Sequence, residues 1–265
     1  MKNIIAGIWL GEFGWELMRW QGIFRNIKYN NPKIKITIVG KPGHNILYED
    51  YADEYIELQI DNLKETDGWR VNGETPNIPE NILSLYPDYL YMDPSSCMRP
   101  YMQQIIKYGI EEYGHPDILI HPRNTSKCET SYRNWPLENW IQLIERLQNK
   151  NYSIGVIGTD QPLLQHINDL KLLYNKPLRE LVNIMASSKL VLGPSSGPMH
   201  LASLCGAPHL VWTNNQYWSS CSGTNRYRYE VSWNPLGTKT IILDDDNWQP
   251  SVEKVFNSTI EFLNG

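Results

Sequence analysis

Apolar residues cluster in short runs separated by polar punctuation along most of this chain. Asn3–Leu10 is apolar enough for a buried strand, Gly11–Trp15 follows as a loop, and Glu16–Lys28 has helical spacing through Leu17, Trp20, Phe24 and Ile27. Asn30-Asn31-Pro32 then breaks the pattern before a second apolar run, Lys33–Val39, so the chain opens as a β–α–β unit of a parallel sheet. From about residue 41 to 100 the pattern weakens, with short strand candidates at Tyr55–Leu58 and Tyr89–Tyr91. A helix is expected from Arg99 or Pro100 to about Tyr108, with Glu111–Pro116 as an interdomain linker.

The second half alternates more regularly. Strands are expected at Asp117–His121, Ser153–Gly158, Lys189–Leu192, His209–Trp212 and Thr240–Leu243. Helices are expected at Pro136–Asn149, Pro162–Leu173, Leu178–Ser188, Met199–Cys205 and Ser251–Leu263, the last amphipathic on Val252, Val255, Ile260 and Leu263. This order predicts an α/β protein with two Rossmann-like halves facing across a cleft: residues 1–112, residues 117–250, and a closing helix at 251–265. Ligands of such sheets bind beyond the carboxyl ends of the strands.

A length of 265 residues accommodates two small cores or one large one. The net charge of −5, with no long Lys/Arg run, argues against a general nucleic-acid binder and means that an anionic ligand must be held locally. No stretch reaches the roughly 18 apolar residues of a spanning helix, and the N-terminal residues continue as strand and charged loop instead of a cleavable signal; a cytoplasmic protein is expected. The four cysteines, Cys97, Cys128, Cys205 and Cys221, are too scattered for a disulfide framework or a zinc site and are expected as reduced thiols, with no metal. Ten Trp and sixteen Tyr against four Phe supply rings with polar tips, suited to packing at wet interfaces and to stacking on sugars and bases.

Candidate chemistry concentrates in KLVLGPSSGPMHLASLCGAP, Lys189 to Pro208, where a strand ends in a Gly-Pro-Ser-Ser-Gly turn and restarts as a helix. Free backbone N–H groups, the hydroxyls of Ser195 and Ser196, and His200 meet there at a helix start, an arrangement suited to phosphate. Arg133 and Arg123 are candidate cations for the same anion, with Lys127 weaker. Asp160, just past a strand end, is open to contact with a ribose or base or to a turn role. The segment from Trp212 to Thr238 is long, polar and aromatic; its Arg226 and Arg228 are open to closing over an anion or to simple solvation.

Taken together, the Ser-Gly-Pro-Met-His turn (residues 196–200), the Arg-Asn-Trp-Pro helix start (133–136) and the Gly11-Glu12 loop resemble the lipopolysaccharide heptosyltransferases, glycosyltransferase family 9, over residues 117–212 most specifically. The resemblance implies a GT-B fold and an inverting glycosyltransferase that moves a sugar from a nucleotide-diphosphate sugar to a hydroxyl, the expected acceptor being a glycan. It implies donor contacts by Arg133, Ser196, Gly197, Met199 and His200, with no cofactor beyond the donor itself. Ser195 stands where the family has Asp, which removes a carboxylate from the phosphate end. Glu12 falls on the family's acidic loop residue and is the candidate acceptor base, with Glu16 in reserve or as the anion that opens a helix. A nucleotide-sugar epimerase, a binding module without catalysis, and transfer to a modified nucleic-acid base are the rival readings.

Overall fold

A computed structural model describes residues 2–59, 78–94, 102–124, 128–158, 164–216 and 223–265. The chain divides into two compact units, Met1–Ile105 and Ile106–Gly265.

In the first unit, β1 (Ile4–Ala6), β2 (Ile36–Gly40), β3 (Glu54–Glu57) and β4 (Leu90–Met92) form a parallel sheet in the order β3-β2-β1-β4. β1 and β2 are buried along their whole length, which is why their sequences read as continuous apolar runs. The predicted helix Glu16–Lys28 exists in two parts, a π-helical turn Glu16–Trp20 and α2 (Gln21–Asn30), and it is preceded by a short helix α1 (Phe13–Trp15) within the stretch expected as a loop. Trp9, Trp20 and Phe24 pack as a buried ring cluster, with Trp20 and Phe24 edge to face at 4.7 Å. A further helix, α3 (Glu80–Leu83), lies where the sequence pattern shows none.

The expected helix ending at Tyr108 is absent over residues 103–108, which run without helical structure. The backbone there is claimed by other partners: Gln104 N–H donates to the Gly22 carbonyl, Gln104 carbonyl accepts from the buried Arg25, and Tyr108 N–H donates to the Leu204 carbonyl within the second unit.

The second unit is a six-stranded parallel sheet: β5 (Ile118–Ile120), β6 (Ile154–Gly158), β7 (Leu170–Tyr174), β8 (Leu190–Pro194), β9 (His209–Trp212) and β10 (Thr240–Leu243). Their spatial order, β10-β9-β8-β5-β6-β7, is that of a dinucleotide-binding sheet, reversing direction between β5 and β8. The remaining helices are α4 (Leu137–Gln148), α5 (Leu178–Ala186), α6 (Gly197–Leu204), α7 (Asn225–Arg228) and α8 (Val252–Asn264). The helix expected over Pro162–Leu173 is not found in its described part; β7 occupies its end, bonded to β6. Leu170, Leu172 and Leu173 suit either period, and pairing with an open sheet edge decides for the strand.

Trp135, Trp140 and Trp212 fill the core of this unit, with ring centroids 4.9–5.3 Å apart. Rings of this size bury ~150–250 Å² each, a gross hydrophobic gain of about 4–6 kcal/mol apiece. Trp135 also donates Nε1–H to the Pro250 carbonyl at 2.8 Å. Burying Trp135 therefore fixes where its neighbour Arg133 stands. Cys205 is a free, buried thiol; Cys97 and Cys221 lie outside the described residues.

Candidate functional site

All six strands of the second unit run parallel, so their carboxyl ends share one edge, and the reversal between β5 and β8 leaves a crevice there. His121 and Arg123 follow β5; Ser195, Ser196 and the start of α6 follow β8; Thr213 and Asn214 follow β9; and Trp248 lies beyond β10. Gly193, on β8, is required by crowding at this point, since a Cβ would lie 3.0 Å from Met199 Sδ and 3.2 Å from His121 Cβ.

Ser196 is the extended residue before α6 (φ −164°, ψ 172°), yet its side chain makes no capping bond. Its Oγ is buried and has no partner. The same is true of Arg133 Nε, His200 Nδ1, His121 Nδ1, Thr213 Oγ1 and Trp248 Nε1. Buried polar atoms are nearly always satisfied, and an unmet one costs ~1–3 kcal/mol. These orphans come from five chain segments, and a polar ligand is what would complete their bonding.

The charge gathered at this edge is positive. Burial, then the neighbouring His209, Arg228 and Arg133, push His200 down to about 3, so its imidazole is neutral and two guanidinium groups lie within electrostatic reach of it. Arg133 lies over the Trp248 ring at 5.2 Å, and Arg228 lies over Trp233 at 4.3 Å. Gln249 Nε2 donates to the carbonyls of Tyr132 and Asn134, clamping the segment that carries Arg133. The aimed N–H groups of α6 add the positive end of an eight-residue helix. The arrangement has the donors and the positive charge that suit an anion.

Other expected residues take different parts. Arg123 donates Nη1–H to Asn134 Oδ1 at 2.6 Å, bracing the Arg133 segment. Ser195 is buried and continues the ladder through its N–H to the Trp212 carbonyl, and Met199 is buried in the core against Gly193. Asp160 and Lys127 lie outside the described residues. The polar stretch after Trp212 is more ordered than its sequence suggests: Thr224 caps α7 by accepting from Tyr227 N–H, and a π-helical turn, Tyr229–Trp233, follows. That turn stacks Tyr229 and Trp233 against His200 and presents Arg228, whereas Arg226 is tied to Asp244 at 2.6 and 2.8 Å. Arg228, Thr213 and Trp248 thus join the site through contacts that no local spacing announces.

In the first unit, Glu12 follows β1 and precedes α1; its carbonyl accepts from Trp9 Nε1–H at 3.2 Å, and its carboxylate caps nothing and has no ion-pair partner among the described residues. Glu16, four residues on, is buried. It accepts from Tyr48 Oη–H at 2.7 Å and bonds His44 Nδ1 at 2.9 Å. Burial and the Glu16 charge push the Tyr48 phenol well above its usual range. Among the described residues no group of three or more His, Cys, Asp or Glu is placed to hold a metal ion, and no helix is long and apolar enough to cross a membrane.

Residues 98–211 match the model of glycosyltransferase family 9 (heptosyltransferase), a span that contains β5 to β8, most of β9, and Arg133, Ser196 and His200 of the site, while Thr213, Arg228 and Trp248 lie beyond it. The chain has the GT-B fold and resembles that family. Escherichia coli ADP-heptose LPS heptosyltransferase II superposes with a TM-score of 0.63 at 14% identity, covering 100% of this chain and 99% of that one. A family 9 glycosyltransferase of Veillonella parvula gives 0.62 at 13% identity, over 99% and 97%. E. coli heptosyltransferase WaaC with ADP gives 0.59 at 12% identity, over 99% and 100%. No curated protein sequence matches. The family match supports a glycosyltransferase that uses a nucleotide sugar.

Proposed function

We propose that this protein transfers a sugar, with inversion, from a nucleotide-diphosphate sugar to a hydroxyl of a glycan acceptor. The observation that carries the reading is the set of unpartnered buried polar atoms, Ser196 Oγ, Arg133 Nε and His200 Nδ1, at the β5/β8 reversal inside the family-matched segment, with Arg228 from beyond that segment within electrostatic reach of His200. Bond breaking leaves an electron pair on the diphosphate oxygen; Arg133, the N-terminus of α6 and Ser196 meet that growing charge without a resident metal. The acceptor oxygen attacks the anomeric carbon from the opposite face, and Glu12 takes the hydroxyl proton as its bond to carbon forms. A longer side chain than aspartate gives Glu12 one more methylene of reach.

The test is thermal unfolding against ADP, UDP, GDP, CDP and the corresponding sugars. A ligand that binds only the folded chain at a hundred times its Kd adds about 2.7 kcal/mol. Stabilisation by one nucleotide class, followed by turnover of its sugar with an acceptor, supports the reading. No response to any nucleotide, or a ligand-bound structure with the diphosphate away from Ser196 and Gly197, overturns it. Binding without turnover would make the chain a nucleotide-sugar binding module.

A further inference from the structure

The first unit holds a second polar constellation, Glu16, His44 and Tyr48, that the transfer step above does not use. Glu16 is 3% exposed, and a carboxylate so buried costs several kcal/mol unless its oxygens are met. Each oxygen is met by a different group: Oε1 by the buried Tyr48 phenol at 2.7 Å, Oε2 by His44 Nδ1 at 2.9 Å. The π-helical turn Glu16–Trp20 sets this up, because its extra residue per turn redirects Glu16 inward from a segment whose spacing reads as a plain helix. Such turns are frequent at functional sites.

His44 is the member that faces outward. Its side chain keeps 21% of its exposure, and its ring meets Phe13, the residue after Glu12, edge to face at 5.6 Å. With Nδ1–H donated to the carboxylate, the ring is held in one orientation and Nε2 is the nitrogen left to a ligand. Glu12 follows β1 and His44 follows β2, adjacent parallel strands, so both lie at the carboxyl edge of this sheet. We infer that His44 is an acceptor-binding residue whose Nε2 hydrogen-bonds a saccharide hydroxyl, and that Glu16 and Tyr48 are the positioning residues that hold it. The acceptor class is thereby narrowed to a molecule with at least two hydroxyls, one reacting and one held by His44. This inference rests on the transferase reading and assigns a second acceptor contact to it.

The variant that isolates Nε2 is His44→Asn, whose amide N–H can still donate to Glu16 while nothing replaces Nε2. The full chain, labelled with ¹⁵N, is titrated with methyl hexosides and methyl heptosides while imidazole nitrogens are followed by long-range ¹H–¹⁵N correlation. The expected result is a shift of His44 Nε2 with at least one saccharide, lost in Glu16→Gln, where the ring is no longer held by a carboxylate. With that saccharide as acceptor, His44→Asn raises KM about tenfold, the scale of one hydrogen bond left unmade, and leaves kcat and donor affinity within about twofold. A His44 signal that moves with no saccharide, or an unchanged KM in His44→Asn, overturns the inference. A wild-type chain that binds no nucleotide sugar instead overturns the transferase reading, so the two failures are distinct.

Discussion

Acidification should destabilise the second unit steeply, because three of its histidines are buried in the neutral form. His200 is pushed down to about 3, and His121 and His209 each to about 4, from an ordinary 6.5, with burial the leading cause in all three. His209 shows the structural side of this: it is fully buried, with Nδ1–H donated to the Ala207 carbonyl at 2.9 Å and Nε2 against Thr240 Oγ1 at 3.1 Å. A base whose pKa is lower folded than unfolded binds fewer protons in the folded state, so folding is undisturbed above 6.5 and loses free energy as pH falls toward the native values. At about pH 5 each histidine costs about 2 kcal/mol relative to neutral pH, and the three together about 6 kcal/mol, which rivals the whole stability of many domains. The local slope is about 4 kcal/mol per pH unit. The carboxyls of Asp53 and Asp117 lie below the usual 3.8 and act only under that pH, outside this window. Urea titrations followed by tryptophan fluorescence at several pH values give the slope directly. His209→Asn, which keeps a donor for Ala207, should reduce it by about 1.4 kcal/mol per pH unit. Stability that is flat between neutral pH and about pH 5, or a slope unaltered in His209→Asn, would refute the reasoning.

Arg133→Ala should weaken nucleoside diphosphate binding by about 1.5–3 kcal/mol, the scale of a charge-assisted hydrogen bond, as read by calorimetric titration; unchanged affinity would remove Arg133 from the donor site. Glu12→Gln should retain donor binding and lose about 10²–10⁴-fold in transfer rate, the range of a positioned base, and full activity in a steady-state assay would rule Glu12 out. Gly109→Ala should lower the midpoint of thermal unfolding by many degrees, because Gly109 has φ +77° and a Cβ there would collide with the Val182 carbonyl; an unchanged midpoint would contradict the packing of this segment on α5.

What the sequence determined by itself is the local alternation. Continuous apolar runs at Asn3–Leu10 and Lys33–Val39 mark strands buried on both faces, and the Ser-Gly-Pro-Met-His turn marks a strand feeding a helix, because each depends on neighbours within a few residues. The structure has β1, β2, β8 and α6 at these places. Only the tertiary structure decided the rest. The strand order that puts the reversal between β5 and β8 brings His121 beside Gly193, and no spacing encodes that pairing. The same holds for Arg226, spent on Asp244, while Arg228, two residues later, reaches His200. Leu170–Tyr174 suits either period on paper and becomes a strand because β6 offers it an open edge. Glu16 reads as a helix-opening anion or a spare base, and its actual partners, His44 and Tyr48, stand 28 and 32 residues away. Period and turn chemistry are short-range quantities, whereas hydrogen-bond satisfaction and burial are settled only when distant segments meet.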